Sequence, residues 1–289
     1  MFSGWEEYDH INRELAGLMK ELPDSDLGEV IAYVLSSPGK RVRPLIILLS
    51  AEAFGGSAPA AVNAALAIEL VHAASLVHDD ILDCGVERRG SPSALERFGP
   101  EAALLAGDYL ISRSIELISR YSRPVITTFS RACMSMSEGE MLDLSRACAP
   151  QDYYQCVSKK TASLFAASAK MGCLIAGAPQ EDVARLERYG LNLGLAYQIL
   201  DDLEEFQGID QGKASRKTSV TLPRIYEAMH QRETAIQMCV KAIEAHRLEA
   251  RRALRESSAE AAMRYRLERI VDEMTDQGLE RCRSQRSLC

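Results

Sequence analysis

The chain has 289 residues, of which 47% are hydrophobic and 26% charged, and it carries a formal charge of -7. That composition suits a globular protein with a large core, and a net negative charge repels phosphate backbones, which argues against nucleic-acid binding. Eight scattered cysteines without a CxxC spacing read as reduced thiols, the opening MFSGWEEYDH carries acid where a secretory signal needs base, and no apolar run approaches the length that spans a bilayer, so a cytoplasmic protein with no integral membrane segment is expected.

Ten prolines fall at or near boundaries between helical runs, which leaves about ten helices, short connections and no strand-like alternation of useful length. Ala and Leu are abundant and aromatic residues few, so the fold class is all-α, one domain over 1–289. Residues 5–20 read as a peripheral amphipathic helix, and 24–36 as another capped by Asp24 or Ser25. The loop at 36–44, SSPGKRVRP, then leads into LIILLSAEAF. Three cations in four residues beside a helix start, Lys40, Arg41 and Arg43, make either an anion site or a solubilising loop.

From Ala60 to Leu82 no proline or glycine interrupts a run rich in Ala, Leu, Ile and Val, so the run is helical. Asp79, Asp80 and Asp83 stand at its end. Positions four apart share a helix face, so Asp79 and Asp83 project together with Asp80 flanking them, and His72 lies two turns back on nearly the same stripe. Three carboxylates here repel one another and are costly to desolvate. Hydrated Mg²⁺, which usually also holds substrate phosphates, relieves both problems. The alternative is an acidic helix end in solvent, although acids are disfavoured at a helix C-terminus.

Residues 101–120 and 124–147 read as long helices. In the second, Met134, Met136 and Met141 are either adaptable walls of a pocket or plain core. Residues 151–177 contain VSKKTASLF, in which Lys159 points away from its neighbour Lys160. Residues 194–206, GLAYQILDDLEEF, repeat the acidic pattern: Asp201 and Asp202 follow an apolar run, with Glu205 one turn on and Gln198 one turn before. Two acidic helix ends facing each other across a central cavity supply the converging oxygens that a metal needs. Residues 218–283 are charge-laced amphipathic helices that close the bundle.

HDDILD at 78–83, followed by Arg88-Arg89-Gly90, resembles the first aspartate-rich motif of the trans-type polyprenyl diphosphate synthases, and DDLEEF at 201–206 resembles their second. GKRVRP at 39–44, Lys160-Thr161 and TLP at 221–223 are similar to further landmarks, in family order over residues 39 to 226. The resemblance implies an isoprenoid synthase-like bundle of about ten or more helices and a homodimer. It also implies condensation of isopentenyl diphosphate with allylic prenyl diphosphates. Carried over residue by residue, it implies Asp79, Asp80, Asp83, Asp201 and Lys160 as catalytic. Lys40, Arg43, His72 and Arg89 would bind isopentenyl diphosphate, and Arg88, Lys160, Thr161, Gln198 and Lys213 the allylic diphosphate. Asp79, Asp83, Asp201, Asp202 and Glu205 would hold Mg²⁺, three ions per substrate-bound site, with Mn²⁺ a substitute.

The chain departs from the family at 207–226. That loop is several residues shorter than the family's and lacks the aspartate that in the family follows a lysine and glycines before TLP, so Lys213 or Lys217 can fill the lysine position, and Glu205 replaces an aspartate. Small residues at Ala74 and Ser75, where short-chain synthases often carry an aromatic, imply a product of C20 or longer. Val71, Ile68 or the methionines of 134–141 would be its floor. Four other readings stand beside this one: a non-catalytic subunit of a heteromeric synthase, a shorter C15 product, a terpene cyclase, against which GKRVRP argues, and a helical scaffold with a structural metal, against which the two acidic clusters with basic companions argue.

Overall fold

The computed structural model describes residues 2–145, 149–209, 213–214 and 220–284. Helix α4 (Ala58–Asp83) is the axis of the first half. Its alanines, among them Ala61, Ala64, Ala65, Ala67 and Ala74, are fully buried. Such small side chains allow close approach by the helices packed on either side, α3 (Val42–Glu52) and α6 (Pro100–Ile118). α4 stops where Cys84 turns left-handed at φ 52°, and the Gly85 amide closes back on the Asp80 carbonyl at 2.8 Å. By length and composition α4 would reach across a bilayer, which the sequence reading did not anticipate, but most of its apolar stretch is buried inside the protein.

Helix α10 (Gln180–Phe206) is the axis of the second half. Val183, Leu186, Tyr189 and Leu193 on its first part join the main core. Leu195, Ile199 and Leu203 on its second part join a smaller cluster with α8 (Pro150–Val157), α11 (Leu222–Glu227), α12 (Arg232–Glu256) and α13 (Ala261–Ser284). Helix α9 (Ser163–Ala176) lies between the axes. Both α4 and α10 pack on it, as does α3, whereas α4 and α10 make no extensive contact with each other. The acidic ends of α4 and α10 therefore stand apart over a shared support.

The remaining helices brace these axes. α1 (Glu6–Lys20) is tied to α13 by Arg266, which donates to Glu7 at 2.5 Å and lies over the Trp5 ring. Ser25, rather than Asp24, caps α2 (Asp26–Ser36), accepting from the Gly28 amide at 3.3 Å. α5 (Ala94–Phe98) and α7 (Arg123–Leu144) complete the thirteen α-helices among the described residues. One π-helical turn, Ser158–Ala162, joins α8 to α9. Three two-residue strands, β1 (Glu87–Arg88), β2 (Ser91–Pro92) and β3 (Lys213–Ala214), form a small antiparallel sheet in the order β2-β1-β3. Such short pieces leave no alternation to read in a sequence.

Candidate active site

On α4 the half-buried residues His72, Ser75, Asp79 and Asp83 follow the spacing of one helix face. Asp80, about 100° further round the helix, is buried instead. Arg88 grips it in a fork, Nε to Oδ2 at 2.8 Å and Nη2 to Oδ1 at 2.7 Å. α10 repeats the division. Asp201 is half-buried, while Asp202 is buried and accepts from the Tyr153 hydroxyl at 2.5 Å and from Gln198 Nε2 at 2.9 Å.

The carboxylate of Asp202, expected from the sequence to help hold a metal, thus faces Tyr153 and Gln198, and that of Asp80, expected to flank Asp79 and Asp83, holds Arg88. Burial pushes the Asp202 carboxyl up to about 7 against the pull of its two hydrogen bonds, and the charges of Asp201 and Glu205 push the same way. Burial, and then the neighbouring Asp202, hold the Tyr153 phenol well above the usual tyrosine value. Glu205 is exposed.

The π turn bridges the two acidic ends. Lys160 on it pairs with Glu140 at 2.5 Å and Asp143 at 2.7 Å on α7. Burial alone would lower the Lys160 pKa, but Asp79, Asp143 and Glu140 outweigh it and hold the ammonium above its ordinary value. Thr161, the next residue, donates to Gln198 Oε1 at 2.9 Å. One turn of chain thus feels Asp79 through Lys160 and reaches Asp202 through Thr161 and Gln198. Gly139 on α7 makes this possible, because a Cβ there would lie 2.2 Å from the Lys160 amide nitrogen. Lys159 points elsewhere, to Glu138 at 2.5 Å. Glu140 and Asp143 were missed in the sequence. Their three-residue spacing on one helix face was the available signal.

The basic residues gather about His72, two turns before Asp79 on the same face of α4. Arg43 Nη1 donates to His72 Nε2 at 3.1 Å, and its guanidinium lies 4.3 Å from the Phe165 ring centroid. Lys40 Nζ lies 5.2 Å from the centroid of Tyr197, one turn before Asp201. Arg89 donates to the Pro38 carbonyl at 2.7 Å, and Arg41 to Glu69 at 2.5 Å. Burial, then Arg43, Arg89, Arg88 and Arg41, drive the His72 pKa well below the usual imidazole value, so the ring is neutral. Burial pulls Arg43 down to about 10, opposed by Tyr197 and Glu69 and assisted by Arg89. Cations that depress one another in this way make a pocket suited to an anion. Tyr197, which touches Lys40 and feels both Arg43 and Asp201, was also missed; it reads as core from sequence.

A family model described as polyprenyl synthetase matches residues 24–261. The chain belongs to the polyprenyl synthetase family. It is 44% identical over 279 residues to the geranylfarnesyl diphosphate synthase of Methanosarcina mazei, covering 96% of this chain and 94% of that protein. It is 39% identical over 189 residues to the geranylgeranyl diphosphate synthase of Sulfolobus acidocaldarius, covering 61% and 57%. The crystal structure of a geranyltranstransferase from Methanosarcina mazei superposes with a TM-score of 0.85 at 41% identity, over 96% of this chain and 100% of that one.

In this polyprenyl synthetase, Arg88 and Lys213 stand opposite each other where β1 pairs with β3. The Lys213 side chain and all of Lys217 lie outside the described residues. Among the described residues no three His, Cys, Asp or Glu side chains are grouped closely enough to hold a metal ion by themselves. Val71 and Ala74 are buried in the main core, and the Ser75 hydroxyl turns back to the His72 carbonyl at 2.8 Å. Met134 and Met141 are 57% and 65% exposed, so they are not pocket walls; their face of α7 looks outward. Met136 is partly buried against the main core.

A small cavity lined by Leu18, Leu22, Ile31, Leu35, Leu70 and Leu110 lies behind α4. Leu70, nine residues before Asp79, points half a turn away from it, so this cavity is not the one expected between the acidic ends. His78, unassigned from sequence, lies against α6 in the space left by Gly107, where a Cβ would sit 2.1 Å from its Nε2.

Proposed function

We propose that the protein is a Mg²⁺-dependent trans-prenyltransferase that condenses isopentenyl diphosphate with allylic diphosphates head-to-tail, releasing diphosphate. One observation carries the reading: a cluster of cations about His72 lies beside two acidic helix ends that are linked through a single turn of chain, Lys160-Thr161. Lys40, Arg43 and Arg89 hold the isopentenyl diphosphate, with neutral His72 orienting Arg43. Arg88, kept in place by Asp80, joins Lys160, Thr161, Gln198 and Lys213 around the allylic diphosphate.

Asp79, Asp83 and Asp201 offer carboxylate oxygens suited to a hard cation, and exposed Glu205 contributes weakly or through water. Mg²⁺ takes one or two carboxylates together with substrate phosphates, so a set completed only by the diphosphate fits the absence of a ready-made cage among the described residues. When bound, the metal supplies charge stabilisation to the departing diphosphate. The chain's own cations add to that stabilisation, and holding both diphosphates fixed supplies the orientation. As the allylic C–O bond breaks, the double bond of isopentenyl diphosphate forms the new C–C bond and then loses a proton.

Small residues at Ser75 and Ala74, and the 44% identity to a geranylfarnesyl diphosphate synthase, support a product of C20 or longer. Leu104, Leu105 and Ile115 on α6 and Met134 and Met141 on α7 are exposed apolar side chains and support a homodimer. We place the enzyme in the cytoplasm as one domain. The test is incubation with isopentenyl diphosphate, Mg²⁺ and C5, C10, C15 and C20 allylic starters, followed by chromatography of the dephosphorylated products. Absence of any elongated product from the purified protein overturns the proposal.

A further inference from the structure

Lys40 is carried on a segment, Ser37–Arg41, that is neither helix nor strand. The segment ends at Arg41 with φ 50°, a left-handed conformation that residues with a Cβ seldom adopt. Such a backbone persists only where its surroundings hold it. Four elements do so. Arg41 Nη1 meets Glu69 on α4 at 2.5 Å, and its Nη2 reaches the Leu35 and Ser37 carbonyls at the end of α2. Arg89 donates to the Pro38 carbonyl at 2.7 Å.

The remaining ties come from α1. The Tyr8 hydroxyl donates to the Gly39 carbonyl at 3.1 Å, and Asn12 Oδ1 accepts from Arg41 Nε at 3.4 Å. Tyr8 and Asn12 are one helical turn apart, on one face. Asn12 Nδ2 donates to the Tyr8 carbonyl at 3.0 Å, which aims its oxygen at Arg41. The neighbouring Glu7 is locked to Arg266 on α13. The residues flanking Lys40 on both sides, Gly39 and Arg41, are therefore fixed by a helix that is itself pinned to the far end of the chain.

We propose that α1 is a positioning element of the isopentenyl diphosphate subsite, with Tyr8 and Asn12 as the positioning residues that set the Lys40 backbone. The inference rests on the reading of Lys40 as a ligand of that diphosphate. Without the two side chains the segment samples other conformations, and diphosphate binding must first select the competent one, which weakens affinity by the fraction lost. Affinity for the allylic diphosphate, whose proposed ligands lie on β1, β3, the π turn and α10, is untouched.

The experiment is titration calorimetry of the full-length protein with isopentenyl diphosphate and, separately, with an allylic thiodiphosphate that does not react. It compares wild type, Tyr8→Phe, Asn12→Ala and Tyr121→Phe. Tyr121→Phe removes a hydroxyl that donates to the Ala60 carbonyl at 2.9 Å and accepts from the Ala64 amide at 3.1 Å, on the first part of α4 and not on the segment. Each α1 substitution is expected to raise the Kd for isopentenyl diphosphate about three- to tenfold, the worth of one hydrogen bond. The Kd for the thiodiphosphate stays within twofold, and Tyr121→Phe changes neither. An unchanged Kd in both α1 variants, or a parallel rise for both ligands, overturns the positioning role alone. Wild-type protein that binds neither ligand overturns the functional reading and this inference with it.

Discussion

Successive residues on a helix are about 100° apart, and that angle separates Asp79 from Asp80 and Asp201 from Asp202. One member of each pair stays half-buried, and the other turns inward to a partner. The sequence makes both acidic pairs legible, but not this division of labour. The inward partners are Arg88, on β1 eight residues on, and Tyr153, 49 residues back, and neither distance leaves a periodic trace. The division has consequences for two isosteric changes. Asp201→Asn is expected to lower kcat about 10²–10³-fold through lost charge stabilisation. Asp202→Asn should instead show in stability. The folded-state pKa of Asp202, about 7, lies above its unfolded value near 3.8, so the native protein keeps a proton that the unfolded chain has released. The stability this contributes is complete below about pH 4 and is lost as pH rises through 7. Urea midpoints of metal-free protein at pH 5 and pH 8 should therefore converge in Asp202→Asn relative to wild type. An undiminished difference in the variant would place the pH dependence elsewhere.

Among elements, the helices follow from composition and proline punctuation, whereas the π turn at Ser158–Ala162 does not. One extra residue per turn is invisible to a 3.6-residue pattern, and its cause is a tertiary contact: the backbone of α7 at Gly139 against the amide of Lys160. The helix that contains Gly139, residues 124–147, read as one wall of a pocket, with Met134, Met136 and Met141 as wall residues or plain core. In the fold the face toward the π turn is Glu140 and Asp143, and the outward face carries Met134 and Met141. Helix polarity was thus legible only as amphipathic, with its sense reversed, since Met is tolerated on either side. Gly139→Ala inserts a methyl where backbone already lies at 2.2 Å. Overpacking of this kind costs about 1–3 kcal/mol, and relief requires the π turn to move. We expect a lower unfolding midpoint together with a raised KM for the allylic substrate and an unchanged KM for isopentenyl diphosphate. A variant with wild-type KM values for both would show that the turn's position is immaterial to binding.

The whole molecule places its acids on two long helices that share α9 as a support without packing on each other, and that arrangement follows from where the apolar faces lie. The back of α4 is alanine-rich and sinks into the main core, while its front carries the half-buried His72, Ser75, Asp79 and Asp83. The exposed apolar residues of α6 and α7 have no cover among the described residues and are the surface on which we propose the homodimer; Leu105→Glu combined with Met134→Glu is expected to sediment as a monomer, and a species of wild-type mass would remove that surface from the proposed interface. Product length belongs to the same scale, because it depends on how far a tail can run along α4 before it meets a side chain. Ser75 stands four residues before Asp79 on the half-buried stripe, about 6 Å down the axis. Its hydroxyl is occupied only with the His72 carbonyl one turn back, so replacing it removes no contact between helices. Ser75→Phe projects a ring into the path at roughly the depth of the first added units. A shorter principal product is expected, with the early condensations proceeding at near wild-type rate because neither diphosphate subsite is touched. Chromatography that shows the wild-type chain length from Ser75→Phe would mean that the tail leaves along another face of α4.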